Sequence, residues 1–104
     1  MLDSLENLLA KGTDNALLRF GLGKGYLDAG DNARAAQHLG RCVEQDPTYS
    51  AAWKLLGKAL LAAGDRDGAR SAWARGLDAA RDRGDKQAEK EMTVFLRKLE
   101  RAVP

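Results

Sequence analysis

The stretch Leu22-Gly23-Lys24-Gly25-Tyr26-Leu27-Asp28-Ala29-Gly30-Asp31 returns 34 residues later as Leu56-Gly57-Lys58-Ala59-Leu60-Leu61-Ala62-Ala63-Gly64-Asp65. Extended outward without a gap, the match lays residues 16–49 over residues 50–83. Nine positions are identical, including Ala35 with Ala69 and Arg41 with Arg75. Self-similarity at a fixed period of this length is the mark of a repeated supersecondary unit. Apolar residues recur at helical spacing on both sides of Gly30-Asp31 and Gly64-Asp65, so each unit reads as two amphipathic helices around a tight turn. Glycine tolerates the left-handed conformation that ends a helix, and the Asp after it can accept hydrogen bonds from the next helix's free N–H groups. Pro47 stops the first copy because it has no N–H to continue a helix, and Thr48 is placed to cap the helix that follows.

The flanks supply one further helix each. Leu2, Leu5, Leu8 and Leu9 make a stripe before Gly12-Thr13-Asp14, and Ala88, Met92, Phe95, Leu96 and Leu99 make another after Asp85. A stack of repeats needs its apolar ends covered, so both are read as caps. The expectation is a single domain over residues 1–104, with repeat one at 16–49, repeat two at 50–83 and a C-terminal capping helix at 86–101. Six helices and no strand are predicted, spanning about 2–11, 15–29, 32–45, 49–63, 66–83 and 86–101.

The pattern Trp53-x-x-Leu56-Gly57-x-x-Leu60, followed by Gly64, Ala69, Trp73 and Gly76, resembles the tetratricopeptide repeat (TPR). The first copy matches through Leu22-Gly23-x-x-Tyr26, Gly30, Ala35, Cys42 and Pro47. The resemblance implies an all-α fold: an α-α superhelix of two helix-turn-helix repeats with N- and C-terminal capping helices. Small residues suit close helix crossings, and Gly23 with Ala35 and Gly57 with Ala69 are expected to form them. Three positions depart from the pattern: Arg19 where it prefers Trp, Leu39 where it prefers an aromatic, and Arg81 where it prefers Pro. Without a proline at 81, the second copy's last helix is expected to run on to Gly84.

The family's members hold other proteins, so the chain is expected to be a non-enzymatic interaction module, an adaptor or scaffold that receives a partner segment in a concave groove. At about 100° per residue, Phe20, Lys24 and Leu27 share one helix face, and Lys54, Lys58 and Leu61 share the matching face of the second copy. By resemblance these six residues line the groove and form the candidate peptide-binding site. Two apolar patches beside lysines suit an acidic partner carrying a hydrophobic anchor. The family's chaperone-binding carboxylate clamp is matched poorly, since Phe20 and Leu55 replace its polar residues and there is no third repeat. The alternative is a self-associating structural protein or an accessory subunit of a larger complex, as a monomer or weak homodimer.

Composition narrows the other classes. Of 104 residues, 44% are apolar and 31% charged, and the 17 basic and 15 acidic residues are interspersed, which gives no basic stripe for nucleic acid. No apolar run approaches the roughly 20 residues of a membrane span, and an N-terminus beginning Met1-Leu2-Asp3-Ser4-Leu5-Glu6 is unlike a signal peptide. A lone cysteine fits a reducing compartment, so the expected location is the cytoplasm. No catalytic residue, cofactor or metal site is expected: one histidine and one cysteine give no nucleophile-base pair and no zinc spacing.

Several tempting motifs have plain structural readings. His38 is expected on a helix surface, and Cys42, Trp53 and Trp73 are expected in the core. Gly21-Leu22-Gly23-Lys24-Gly25 lacks the spacing of a phosphate loop and lies within a helix. Nothing local assigns Gly21 and Gly25 a task, so Gly25→Ala is expected to be neutral or stabilising. Arg83-Gly84-Asp85 reads as helix stop and helix start. Arg66, Arg70, Arg75, Arg81 and Arg83 lie among Asp65, Asp67, Asp78 and Asp82, which predicts a solvated, ion-pairing face.

Overall fold

The computed structural model describes residues 1–101, and all regular structure among them is helical. The six helices are α1 (Leu2–Ala10), α2 (Ala16–Asp28), α3 (Asn32–Gln45), α4 (Ser50–Ala62), α5 (Arg66–Arg83) and α6 (Lys86–Arg101). Every boundary falls within two residues of its expected place. The caps account for this agreement: the side chains of Asn15, Asp31 and Asp65 accept from the amides of Leu18, Arg34 and Gly68 at 2.8, 3.1 and 2.8 Å. Gly84 ends α5 at φ +71°, and Asp85 accepts from the Ala88 amide at 3.1 Å while receiving the Ser50 hydroxyl at 2.7 Å. Arg83-Gly84-Asp85 is therefore a helix stop and start. Thr48 does not cap α4, whose N-cap is Tyr49; the Thr48 hydroxyl instead donates to Asp46 at 2.7 Å and tightens the turn at Pro47.

Consecutive helices pack antiparallel, and the layers then separate by contact. Helix α2 touches α4 and α4 touches α6, whereas α3 and α5 do not meet. A sheet of helices whose alternate members touch only on one side curves toward that side. The α2–α4–α6 layer is thus the inner, concave one, and the molecule is an elongated body of 45 × 29 × 18 Å. Helix α6 stands where the first helix of a third unit would stand.

Glycines let large side chains cross between the layers, though not those anticipated. The space beside Gly23 is filled by Leu39, and that beside Gly57 by Trp73, each one helical turn beyond the expected Ala35 and Ala69. Small residues at 23 and 57 receive a knob rather than face another small residue. A third crossing follows the same rule: Gly76 of α5 admits the Met92 sulfur from α6. Leu39, Met92 and Leu22 are fully enclosed, and Trp53 and Trp73 are 6% and 2% exposed. Both tryptophans are core, and each indole N–H is satisfied, by the carbonyls of Pro47 at 2.8 Å and Lys54 at 3.0 Å. Cys42 is buried, its thiol donates to the Ala16 carbonyl at 3.2 Å, and burial raises its pKa to about 11.

The two end helices differ in grip. Helix α6 buries Ala88, Met92 and Leu99, each large one contributing roughly 1.5–3 kcal/mol of transfer free energy. Helix α1 buries no residue completely. It rests Leu2 on Gly25, where a β-carbon would come within 2.5 Å of the Leu2 side chain, and Leu5 on Gly21 at 3.3 Å. The two glycines, one turn apart, are the flat seat of α1, which is the task that local sequence does not reveal.

Candidate functional site

Phe20, Lys24, Leu27, Lys54, Lys58 and Leu61 all lie on α2 and α4, the helices of the inner layer, but they are not equally free. Phe20 is half-buried and stacks on Tyr49, ring centres 4.9 Å apart at 20°. Leu27 is half-buried against the core. Lys54 reaches Glu91 of α6 at 3.1 Å, and their side chains are 23% and 34% exposed, so its charge is largely neutralised. Lys58 is exposed and places its ammonium 5.2 Å from the centre of the Phe95 ring, a cation–π contact that leaves its N–H donors open to solvent. Lys24 is exposed, and Leu61 is 40% exposed. Glu91 and Phe95, one turn apart on α6, are contacts of these lysines that the self-match could not find, because they lie beyond the second copy.

Next to Leu61 the inner layer has a hollow of about 230 Å³ lined by Leu61, Arg66, Trp73, Phe95, Lys98 and Leu99. Trp73 and Leu99 are buried and make its floor, and Trp73 meets Phe95 with ring centres 5.1 Å apart. Arg66 donates to the Leu99 carbonyl.

A polar cluster sits at the opposite end, between α1, α2 and α3. His38 is not a surface residue: it is 7% exposed, stacked on Tyr26 with ring centres 5.5 Å apart at 5°. Arg19 Nη1 lies 3.1 Å from His38 Nδ1, so Nδ1 accepts and the ring proton belongs on Nε2, which faces Glu6 Oε1 at 3.6 Å. Arg19 also donates to both oxygens of Asp14, at 2.8 and 2.9 Å, and Gln45 donates to Asp14 at 2.9 Å. Those hydrogen bonds hold the Asp14 carboxyl far below the usual carboxylate range. Burial, then the Arg19 charge, lower the His38 pKa. Glu6 Oε1 is enclosed without a hydrogen-bond partner. The visible clue in the sequence was Arg19 itself, a charged residue where the resembled pattern places Trp.

The arginines of α5 tie elements together more than they pair along their own helix. Arg70 pairs with Asp67 at 3.4 Å, but Arg75 lies over the Trp53 ring at 4.9 Å, Arg81 reaches Glu89 at 3.1 Å, and Arg83 donates to the Thr48 carbonyl at 3.1 Å. Among the described residues no three His, Cys, Asp or Glu side chains converge as a metal site, and no helix is long and apolar enough to cross a membrane.

Comparison with known proteins gives the same architecture a family. A family profile described as "Tetratricopeptide repeat" matches residues 26–89. A TPR repeat-containing protein of Pseudomonas aeruginosa is 76% identical over 102 residues, covering 98% of this chain and 97% of its own. A protein of Bordetella parapertussis, solved in solution, has 54% identity and a TM-score of 0.82 over 97% of this chain and 88% of its own. The first TPR of Spaghetti, solved bound to the HSP90 peptide SRMEEVD, shares the fold at 20% identity, with a TM-score of 0.83 over 98% of this chain and 76% of its own.

Proposed function

The chain belongs to the tetratricopeptide repeat family, a fold of protein-interaction modules, and from that premise we propose that it is a non-enzymatic adaptor whose concave layer holds an acidic segment of a partner protein. The observation that carries this reading is the exposure of Lys24 and Lys58 at equivalent places on adjacent inner helices, with the half-open Leu61 beside them. Cations presented at repeat spacing on a concave wall attract a chain of opposite charge and hold it in register. The peptide bound to the first TPR of Spaghetti shows this fold taking a short acidic segment, and it supports the class of partner without naming one. Phe20 and Leu27 supply apolar walls, while Lys54, spent on Glu91, shapes the floor.

The test follows from these unequal roles. Affinity capture followed by mass spectrometry would identify a partner, and the Lys24→Glu/Lys58→Glu protein should keep its helical spectrum yet bind that partner at least tenfold more weakly, with the wild-type affinity falling as salt rises. Lys54→Glu is a poor probe, because it would oppose Glu91 and loosen α6. A partner whose affinity ignores both Lys24→Glu/Lys58→Glu and Phe20→Ala would place the binding surface elsewhere.

A further inference from the structure

The geometry points to the hollow beside Leu61 as an anchor socket: it takes one bulky apolar side chain of an acidic peptide segment, with the flanking carboxylates held by Arg66 and Lys98. This inference rests on the adaptor reading and specifies what the bound segment must contain. The size argues for a side chain: drug-sized ligands fill pockets of roughly 300–1,000 Å³, whereas this one offers about 230 Å³. Its surface argues for an apolar one, since Leu61, Phe95, Trp73 and Leu99 supply the walls and floor. Trp73 cannot swing away, because its indole N–H is fixed on the Lys54 carbonyl at 3.0 Å. The socket is therefore preformed and asks little ordering of the protein when it is filled.

Charge sets the flanks. The two ionisable residues of the lining are both cations, Arg66 and Lys98, and no carboxylate lines the hollow. Arg66 spends one donor on the Leu99 carbonyl, which steadies its guanidinium and leaves others to face a ligand. Lys98 is exposed and pairs with no acid among the described residues. Lys58, over the far wall at Phe95, continues the same sign into the groove. Two rim cations call for two carboxylates, so the matching motif is a bulky apolar residue flanked on each side by a carboxylate.

The test uses fluorescein-labelled pentapeptides with blocked ends, read by anisotropy on the full chain: Asp-Asp-Leu-Asp-Asp, the same with Ala at the centre, and the same with Asn for Asp. Binding of the first should weaken at least tenfold with either replacement and at least tenfold with Lys98→Glu, an exposed position whose variant is checked for unchanged circular dichroism. Equal affinity for the Leu and Ala peptides, or no response to Lys98→Glu, overturns the socket. If those controls are flat while Lys24→Glu/Lys58→Glu still abolishes binding, the groove stands and the socket falls; if no variant matters, both fall. Displacement by laurate with no binding of any peptide would make the hollow a small amphiphile site, and concentration-dependent dimerisation abolished by Lys98→Glu, again without peptide binding, would assign it to a second copy. Either result overturns the proposal.

Discussion

The indole of Trp73 closes over Gly57, occupying the space that any side chain at position 57 would need. Gly57→Leu should therefore overpack the crossing of α4 and α5 and destabilise the protein by about 1–3 kcal/mol or more. Urea denaturation checks it: the midpoint should fall well below that of the wild type with a similar slope, and equal midpoints would refute this packing of Trp73 on Gly57.

Gly25 carries a contact that its sequence does not suggest. In an exposed helix, alanine for glycine gains up to about 1 kcal/mol, but here a β-carbon meets Leu2. The contact is with the outer carbons of the Leu2 side chain, on a helix that buries no residue completely, so global stability should change little in Gly25→Ala while α1 loses its seat. Hydrogen exchange of the amides of residues 6–10 should accelerate relative to wild type, with α4 and α5 unaffected. Unchanged protection in α1 would contradict this.

His38 makes stability depend on pH. Its folded pKa is lowered from 6.5 by burial and by Arg19, so the unfolded chain binds its proton first. The stabilisation from keeping the ring neutral is present above the unfolded value and is lost as pH falls through 6.5 toward the lower folded value. Glu6 and Asp14 oppose the shift, Arg34 adds to it, and Tyr26 packs on the ring. Thermal midpoints measured from pH 8 to 5 should decline, and His38→Gln should flatten that decline. A second loss is expected at pH below 4, as Asp14 leaves Arg19.

Truncation after Gly84 should be disabling, because it uncovers Gly76 and the Trp73 face that Met92, Phe95 and Leu99 shield. Loss of cooperative melting or aggregation in light scattering is the expected outcome. A truncated chain that stays monomeric with an unchanged melting midpoint would show that α6 is dispensable to the fold.

These cases mark what sequence alone could reach. Helix ends were legible because they depend on neighbours: Asp31 and Asp65 cap three residues ahead, and glycine at 30, 64 and 84 takes positive φ. The pairing of α2 with α4 was legible in the repeat, which sets Lys24 with Lys58 and Leu27 with Leu61 at matching positions. Lys54 with Glu91 and Lys58 with Phe95 were not, since the 34-residue register stops before α6. Nor was the Glu6–His38–Arg19–Asp14 cluster, whose members come from α1, α2, α3 and a loop, so no local period joins them. Gly21 and Gly25 were not legible either, because the side chains they accommodate, Leu5 and Leu2, belong to a different helix.

The inner layer contains three helices, α2, α4 and α6. Packed helices are spaced roughly 8–10 Å apart, so the floor spans two intervals, about 16–20 Å. An extended chain advances about 3.3–3.6 Å per residue and crosses that width in about five or six residues. Under the adaptor reading proposed above, α2, α4 and α6 would therefore read a segment of about five or six residues, and sequence beyond that footprint would meet none of these three helices. Discrimination by these three helices alone would then be written within about a hexapeptide, and longer-range selectivity would come from holding two such words in tandem.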